Sequence, residues 1–302
     1  MPFVLKEYEA VLDKKVQFFL EDELELSPKM AQKLISKGRV FKEDMSAFTA
    51  GEIIDCKRVF LGVFEGQTRG LKPLLEFKDF AIFDKPTHLM VHPISKHTQY
   101  SLLDEIRFHF GEDANLIHRI DAETSGLVIV GKNKKSEIEL KDMFQEKLYK
   151  KSYLAIVNGK IEEELEINKA IDKEGKLIGV RMKVCEVDEG GKESCTIIKP
   201  LKYNEKRDLT LIEAIPLTGR QHQIRVHLYS IGHTILGEPI YGIDDINAED
   251  YLNKTLSKED RVKVTKSHRL WLHANYLGFS YKGVLYKVFS KNSEILSEFE
   301  RE

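Results

Sequence analysis

The chain has 302 residues, of which 42% are hydrophobic and 32% are charged, and its formal net charge at pH 7 is −2. This composition is typical of a soluble globular protein with one large domain or two unequal ones. It excludes a protein coated uniformly in positive charge, although a local basic patch could still bind nucleic acid. The sequence contains no apolar run of about 18 residues, so it predicts no membrane span.

The beginning of the chain and its cysteines predict a cytoplasmic protein. The opening stretch MPFVLKEYEA lacks the basic region and the apolar stretch of a secretory signal. Cys56, Cys185 and Cys195 have spacings that match neither a disulfide framework nor a zinc knuckle. A reducing compartment fits these features best.

Two helices are predicted near the amino terminus. The first spans 13–24, where apolar residues recur at helical spacing. The second is marked by Ser27 as its N-cap, Pro28 at its first position and Gly38 just past its end. Short strands and turns follow, so residues 1–62 are predicted to form a compact first domain.

Basic side chains recur along the second helix and just beyond it, and no acidic residue interrupts them. They are Lys29, Lys33, Lys37, Arg39 and Lys42. Such a local patch could bind nucleic acid even in a chain of nearly zero net charge. The alternative interpretation is an ordinary solvated helix face.

Glycines and a proline among few patterned positions predict a linker at 63–75, followed by a second domain at 76–302. Strands are predicted for EFKDFAIFDKP, GLVIVGK, KSYLAIVNG, LTLIEAI and LWLHANYLGF. Helices are predicted for SLLDEIRFHFG, with Ser101 as cap, and for SEIELKDMFQEKL, with a capping box from Ser136 to Glu139. Buried and alternating strands together favour an α+β fold built on a mixed, largely antiparallel sheet.

A first cluster of polar residues lies ahead of the apolar run GLVIV. It consists of His118, Arg119, Asp121, Thr124 and Ser125. An aspartate before a glycine and a strand is usually a turn residue. Its company of basic and hydroxyl side chains makes a catalytic carboxylate the competing interpretation.

A second cluster is TGRQHQIRVHLYSIG, residues 218–232, which is predicted as a glycine turn followed by a helix that stops at Gly232. Helical spacing places His222, Arg225 and Tyr229 on one face. An arginine presented from a packed helix is a suitable partner for a carboxylate that must stay ionised in a partly dry pocket.

Tyr153 and Lys151 share one face of the predicted strand KSYLAIVNG. On the strand pattern alone, a tyrosine there is interpreted as a core residue. His88 and His92 lie in FDKPTHLMVHP, but no histidine spacing matches a zinc pattern. We therefore predict no catalytic metal.

HRIDAETSG resembles the HRLDxxTSG signature of the RluA-type pseudouridine synthases, which act on ribosomal and transfer RNA. FDKPTHLMVHP, KSYLAIVNG and TGRQHQIRVH are similar to that family's other motifs and occur in the same order across 76–302. The first 60 residues resemble the S4-like RNA-binding domain often fused to these enzymes, through SPKMAQKLISKGRV and AGEIID. Where that module usually has an asparagine-glycine turn, this chain has Lys42, Glu43, Asp44 and Met45.

The resemblance implies an isomerase that converts uridine to pseudouridine in structured 23S ribosomal or transfer RNA, without cofactor or metal. It implies that Asp121 is the catalytic carboxylate, which either attacks the ribose C1′ or removes the 2′ proton. It further implies that Arg225 is the ion-pair partner of Asp121 and that Tyr153 stacks on the target uracil. Arg119 is expected to fill the space left by the flipped nucleotide.

The remaining expectations concern RNA contacts. The residues expected to bind RNA or the base are Arg119, His118, Thr124, Ser125, Lys151, Arg220, His222, Lys29, Lys33, Lys37 and Arg39. Thr124 and Ser125 are also expected to shape the loop so that Asp121 projects from it. RNA is the expected partner, with no membrane, and the chain is expected to act as a monomer.

Two alternative functions remain to be weighed. A glycoside hydrolase would need two carboxylates at a defined separation, and Glu123 is interpreted as a turn residue, which leaves Asp121 alone. A catalytically inert RNA-binding protein of the same fold would use Asp121 and Arg225 as a structural salt bridge.

Overall fold

The structure is a computed structural model that describes residues 3–93, 98–146, 148–175 and 178–301. The chain divides into two compact units, one formed by 1–70 with 93–112 and the other by 71–92 with 113–302. No helix within the described ranges is long and apolar enough to cross a membrane.

The first unit packs helices against a small sheet. Its elements are β1 (Phe3–Glu9), α1 (Val16–Asp22), α2 (Pro28–Ser36), β2 (Val40–Phe41), β3 (Arg58–Phe64) and α3 (Leu102–Phe110). The sheet has the order β1-β3-β2. Helix α2 begins as predicted, because the Ser27 hydroxyl accepts a hydrogen bond from the backbone N–H of Met30 and Pro28 occupies the first helical position. Apolar side chains of α1, α2 and β3 form the core of this unit.

Helix α3 belongs to the first unit, although the sequence predicts 76–302 as one domain. The segment before the second unit explains the difference. A side chain at Gly66 would collide with the backbone of α3, so the two backbones approach closely. The backbone N–H of Arg69 donates to Glu105 at 2.5 Å, and the Arg69 guanidinium lies 4.2 Å from the centre of the Tyr100 ring. These contacts join residues more than 30 positions apart, which no local pattern predicts.

The second unit is built on one large sheet. Its strands are β4 (Leu75–Glu76), β5 (Phe80–Lys85), β6 (Asn115–Leu116), β7 (Ser125–Gly131), β8 (Tyr149–Asn158), β9 (Leu165–Asn168), β10 (Ala170–Lys173), β11 (Met182–Cys185), β12 (Cys195–Asn204), β13 (Leu209–Pro216), β14 (Leu272–Tyr281) and β15 (Val284–Phe289). Its helices are α4 (Lys134–Gln145), α5 (Gln223–Ser230), α6 (Asp245–Asn253), α7 (Lys258–Thr265) and α8 (Glu294–Phe299).

The large sheet has the order β4-β5-β7-β14-β8-β13-β12-β9, with β15 paired to β14 and β6 paired to β7. Strands β10 and β11 form a separate two-stranded sheet. Among the paired strands of the described residues, β7 and β14 are parallel and the other pairs are antiparallel. The predicted α+β fold with a mixed, largely antiparallel sheet is therefore confirmed.

The register of the central strands relates the start of β7 to Tyr153 on β8. Gly126 on β7 lies opposite Ala274 on β14, and Ala274 lies opposite Tyr153 on β8. Gly126 has φ 111°, and a side chain there would collide with the backbone of Ala274, so glycine is required at this position. The turn that carries Asp121 thus leads into β7 two strands away from Tyr153.

Three predicted helix starts differ from the structure. Helix α1 begins at Val16, three residues after its predicted start at position 13. Helix α4 begins three residues earlier than a cap at Ser136 would place it, because the Asn133 side chain accepts from the N–H of Ser136 and is the true N-cap. The predicted helix extends over Lys147, which lies outside the described residues. Helix α5 begins at Gln223, and His222 is its N-cap with φ 54°. His222 therefore does not lie on a helical face with Arg225 and Tyr229, as the spacing predicts.

Candidate active site

Asp121 and Arg225 are brought together from positions 104 residues apart in the chain. Asp121 lies in the turn between β6 and β7, and Arg225 lies in α5. The Arg225 NH1 group donates to Asp121 Oδ2 at 3.0 Å. The arginine side chain is 2% exposed and the aspartate 30% exposed, so the pair is buried on the arginine side and open on the carboxylate side.

Glu238 fixes the guanidinium of Arg225 from the other side. Arg225 Nε donates to Glu238 Oε2 at 2.8 Å and NH2 donates to Oε1 at 2.6 Å. Glu238 Oε1 also accepts from the backbone N–H of Ile240 at 2.9 Å. A bidentate pair of this kind restricts the orientation of the arginine. Sequence reasoning missed Glu238, because nothing local distinguishes it from a surface acid.

The electrostatics of this cluster favour an ionised Asp121. Burial pushes the pKa of Asp121 upward, but the charge of Arg225, the nearby His222 ring and the hydrogen bond from Arg225 outweigh it, so the pKa lies below its ordinary value. The two carboxylates beside it raise the pKa of Arg225 well above its ordinary value against the effect of burial. Asp121 is therefore a carboxylate and Arg225 a cation at neutral pH.

The two oxygens of Asp121 have different surroundings. Oδ2 accepts from Arg225 and lies 3.9 Å from Nε2 of His222. Oδ1 has no hydrogen bond within the part of the chain that the structure describes, and it is not among the fully buried unbonded atoms. Oδ1 is therefore the oxygen that is free to react with a substrate.

Tyr153 lies on β8 and is 7% exposed. Its hydroxyl forms no hydrogen bond with any described residue, and burial together with the charge of Asp121 raises its pKa. The ring is therefore a neutral phenol next to the aspartate. Lys151, two residues earlier, lies in a site where burial lowers its pKa to about 8. A side-chain carbon at Gly219 would lie 3.7 Å from Lys151 Nζ. The segment 218–232 and the strand that carries Lys151 and Tyr153 therefore lie close together.

His118 and Arg119 differ in exposure. The half-buried His118 ring stacks on Phe144 with 5.0 Å between ring centres, and its Nε2 accepts from the N–H of Ile129 at 3.3 Å. Burial lowers the pKa of His118 to about 3, so the ring is neutral. Arg119, two residues before Asp121, is exposed. Of these two neighbours, Arg119 is the one available to a bound nucleic acid.

Thr124 and Ser125 are buried, with exposed fractions of 2% and 1%. Ser125 Oγ accepts from Arg269 NH2 at 2.6 Å and shares a hydrogen bond with Nδ1 of His273 at 2.8 Å. The N–H of Thr124 donates to the carbonyl of Asp121 at 3.2 Å. Both residues thus stabilise the turn, and their burial does not suit the expected contact with RNA. Arg220, in contrast, is exposed.

Glu123 lies in a bend, as its interpretation as a turn residue predicts, and it is also a buried ion-pair residue. Arg261 donates to it at 2.6 Å, Tyr251 donates at 2.7 Å, and His88 Nδ1 lies 2.8 Å away. Burial would raise the pKa of Glu123, but hydrogen bonds from His88 and Arg261 lower it well below its usual range. A carboxylate held in this way cannot supply the protonated acid of a glycoside hydrolase.

Lys85 stabilises the turn that carries Asp121. Its side chain is fully buried, and its Nζ donates to the carbonyls of Pro86, Leu89 and Ala122 at 2.9, 2.8 and 3.1 Å. Burial lowers the pKa of Lys85 to about 7 although Asp121 and Glu123 oppose the shift. The hydrogen bond to Ala122 connects β5 to the residue that follows Asp121. Within the described residues, no group of three or more histidines, cysteines or acids could hold a metal ion.

The basic row predicted in the first domain lies on α2 and beyond it. Lys29, Lys33 and Lys37 are exposed, and Arg39 is half-buried. Lys42 is neutralised by Glu52 at 2.5 Å and Asp55 at 3.7 Å. Three lysines at four-residue spacing therefore remain as an exposed basic face of the first unit.

Comparisons with known proteins agree with these motifs. Residues 79–230 match the sequence model of a family described as RNA pseudouridylate synthase. An uncharacterized RNA pseudouridine synthase of Helicobacter pylori strain 26695 is 40% identical over 302 residues, covering 99% of this chain and 97% of that protein. Ribosomal large subunit pseudouridine synthase C of Rickettsia bellii is 36% identical over 193 residues, covering 63% of this chain and 57% of that protein.

A solved structure supports the same fold. Human RNA Pseudouridylate Synthase Domain Containing 1 superposes with a TM-score of 0.60 at 25% identity, covering 76% of this chain and 87% of that chain. The match to the family model covers half of the chain, and the Helicobacter pylori relative covers nearly all of it. The chain belongs to the RNA pseudouridylate synthase family and is an isomerase that acts on RNA.

Proposed function

We propose that this enzyme converts specific uridines in structured RNA to pseudouridine, with Asp121 as the catalytic carboxylate. The observation that supports this most strongly is the asymmetry of that side chain. Arg225 and His222 lie against Oδ2, while Oδ1 is free. Such a carboxylate is ionised, oriented and open to a substrate at one atom.

Two routes are compatible with this arrangement. In the first, Oδ1 attacks the ribose C1′, the bond between C1′ and uracil N1 breaks, and uracil leaves as an anion that later returns through C5. In the second, Oδ1 removes the 2′ proton and the same glycosidic bond breaks to give a glycal. In the first route C5 bonds to C1′ as the bond between C1′ and Oδ1 breaks. In the second, C5 bonds to C1′ as Asp121 returns the proton to C2′, so both routes regenerate the carboxylate. In both routes the C5 proton is finally lost and N1 gains a proton, so the product has the same composition as the substrate. Either route requires the unprotonated form of Asp121.

A uridine in structured RNA must leave its stack before Oδ1 can reach it, which costs a few kcal/mol. We propose that the exposed Arg119 occupies the vacated space. The largely buried Tyr153 ring, next to Asp121, then stacks on the uracil and keeps it in place while it turns. Stacking on an aromatic ring contributes about 1–3 kcal/mol per base. Lys151 and Arg220 are proposed to contact the phosphates of the same nucleotide.

Replacing Tyr153 tests this role. Tyr153→Phe should keep stacking and RNA affinity but slow turnover, since the unbonded hydroxyl is lost. Tyr153→Ala should lose both stacking and turnover, with RNA binding weakened by about 1–3 kcal/mol. Single-turnover rates and RNA dissociation constants measure the two effects separately. Equal rates for all three proteins would remove Tyr153 from the mechanism.

The RNA substrate is proposed to be ribosomal RNA of the large subunit, because two relatives carry that activity in their names. Transfer RNA is the alternative, because another relative is named for it. Pseudouridine maps of total RNA from cells with and without the gene, made by carbodiimide labelling, identify the uridine. A site that disappears from large-subunit RNA supports the proposal, whereas a site lost from transfer RNA supports the alternative.

A catalytically inert RNA-binding protein of this fold is the competing function. It would keep the Asp121–Arg225 pair as a structural salt bridge. A purely structural pair has no need for an oxygen that stays unbonded and open, as Oδ1 does. Identical pseudouridine maps with and without the gene would favour the inert protein.

We propose that the first unit acts as an S4-like RNA-binding domain through its three exposed lysines. Replacing Lys29, Lys33 and Lys37 by glutamine should weaken binding to large RNA and make it less salt-dependent. If each lysine contacts a phosphate of single-stranded RNA, the slope of log K against log salt should fall by about 2. Binding titrations between about 50 and 200 mM salt measure this slope.

The matched control removes three exposed lysines from the second unit, Lys258, Lys263 and Lys266. It changes the net charge equally and should leave the slope nearly unchanged. Equal slopes in the wild type and the α2 variant would show that these lysines are an ordinary solvated face.

A further inference from the structure

His222 is one member of a chain of three polar contacts that runs from Met182 through Tyr241 and His222 to Asp121. The backbone N–H of Met182 donates to the hydroxyl oxygen of Tyr241 at 3.0 Å. That hydroxyl lies 2.9 Å from Nδ1 of His222. At the other end of the ring, Nε2 lies 3.9 Å from Oδ2 of Asp121. All four residues belong to the second unit.

The donor and acceptor of each contact can be assigned from chemistry. A backbone N–H only donates, so the oxygen of Tyr241 accepts from Met182 and its own proton is free for Nδ1 of His222. Nδ1 is then unprotonated, and the ring proton lies on Nε2, facing Asp121. The opposite tautomer would direct a lone pair from Nε2 at a carboxylate, which is repulsive. Both neighbours of the ring therefore favour the Nε2–H form.

The backbone holds the ring in this place at some conformational cost. His222 has φ 54°, in the left-handed region that residues other than glycine seldom adopt. Its side chain is 10% exposed, and its ring packs edge-on against Tyr241 with 5.8 Å between centres. Residues held in this region persist where the surrounding structure fixes them, and they are common at functional sites.

We propose that His222 is a positioning residue for Asp121, held in its Nε2–H tautomer by Tyr241. This inference rests on the proposed catalytic role of Asp121. The imidazole N–H and the Arg225 guanidinium both lie against Oδ2, so they fix the carboxylate plane and direct Oδ1 toward the substrate. The 3.9 Å separation is expected to shorten to a hydrogen bond when substrate is bound, as contacts in unliganded active sites often do.

A neutral donor suits this task better than a second cation. Burial and the charge of Arg225 lower the pKa of His222 to about 4 although Asp121 opposes the shift. The other titratable groups that interact electrostatically with Asp121 are Lys85 on β5, Tyr153 on β8 and Tyr241. A second full positive charge on Oδ2 would further reduce the basicity of a carboxylate that must react. The neutral N–H orients the same oxygen with less loss of reactivity.

The first test measures the tautomer directly. In protein labelled with ¹⁵N-histidine, two-bond ¹H–¹⁵N correlations distinguish Nε2–H from Nδ1–H in a neutral ring. The wild-type enzyme should show His222 as the neutral Nε2–H form near pH 7. Tyr241→Phe should reduce the population of that form while preserving the packing of the ring. A wild-type signal from the Nδ1–H form or from a charged ring overturns the proposal.

The second test measures catalysis. Tyr241→Phe should lower the single-turnover rate by about 3–10-fold, the loss of one hydrogen bond, with RNA affinity unchanged. His222→Ala should lower the rate at least as much, and His222→Gln should recover part of it, because its amide can donate to Oδ2. In the His222→Ala background, Tyr241→Phe should cause no further loss, since Tyr241 acts through the histidine.

Tyr203→Phe is the matched control, because it removes a hydroxyl that bonds Asp208 at the surface and should leave the rate unchanged. A further loss from Tyr241→Phe in the His222→Ala background, equal to its effect on wild type, would overturn the proposal. The proposed function and the proposed role of His222 can be refuted independently. A wild-type protein without isomerase activity on any RNA would refute the proposed function, while the tautomer measurement would still decide the arrangement of His222.

Discussion

Replacing Asp121 by asparagine should reduce pseudouridine formation by about 10³-fold or more while leaving RNA affinity nearly unchanged. An amide of the same shape can still accept from Arg225, but it can neither attack C1′ nor remove a proton. Arg225 also keeps its bidentate pair with Glu238, so the site should stay folded. Carbodiimide mapping of the product and filter binding of labelled RNA measure the two properties separately.

Asp208→Asn is the matched control, because Asp208 is an exposed turn residue that bonds Tyr203. It should retain wild-type conversion and binding. Activity that survives in Asp121→Asn would assign catalysis to another group. Loss of RNA binding in parallel with loss of activity would assign Asp121 a structural role.

Replacing Arg225 by methionine should abolish activity and destabilise the protein by about 3–5 kcal/mol at neutral pH. The change leaves two carboxylates, Asp121 and Glu238, without the guanidinium between them. Uncompensated buried charge is costly because it loses its hydration without gaining a partner. Chemical denaturation monitored by circular dichroism measures the loss. Adding Glu238→Gln to this variant should recover part of the stability but no activity.

The pH dependence of this loss has a definite sign. In the wild type the pKa of Asp121 lies below its unfolded value, so its stabilising contribution is present above the unfolded pKa and is lost as pH falls through the folded one. Without Arg225, burial raises the pKa of this carboxyl above the unfolded value. Its contribution is then present below the unfolded pKa and is lost as pH rises. The deficit of the variant should therefore be larger at about pH 7 than at about pH 4.5.

Arg207→Met serves as the control, since Arg207 pairs with Glu298 in a partly exposed site. It should cost about 1 kcal/mol or less. A deficit of Arg225→Met that is the same at both pH values would show that lost packing, rather than unpaired charge, causes the instability.

Local signals account for the parts of the fold that the sequence predicted well. Ser27 and Pro28 mark the start of α2 because capping and a fixed φ act within a few residues. The apolar run after Gly126 predicts a buried strand, and every residue of β7 is buried. The predicted start of α4 was wrong because both Asn133 and Ser136 are suitable N-cap residues, and the helix begins after Asn133. The contact of Arg69 with α3 has no local signal.

The candidate site also contains features that the sequence predicted and features that it did not. The family resemblance of the motifs implies that Asp121 and Arg225 form an ion pair, and the structure brings them to 3.0 Å. The contacts that surround this pair were not predicted from the sequence. Glu238 and Lys85 act through contacts formed only after folding, and Glu123 is paired with a residue 138 positions away. Charge and spacing in the sequence do not reveal such partners, because the same residue types serve equally well on a solvated surface.

The most direct measurement is the addition of purified enzyme to RNA from cells that lack the gene, followed by carbodiimide mapping. Wild-type enzyme should restore pseudouridine at the sites missing from that RNA, with no change in RNA mass, and Asp121→Asn should restore none. Failure of the wild-type enzyme to form pseudouridine at any site, or equal conversion by Asp121→Asn, would contradict catalysis by the free oxygen of Asp121.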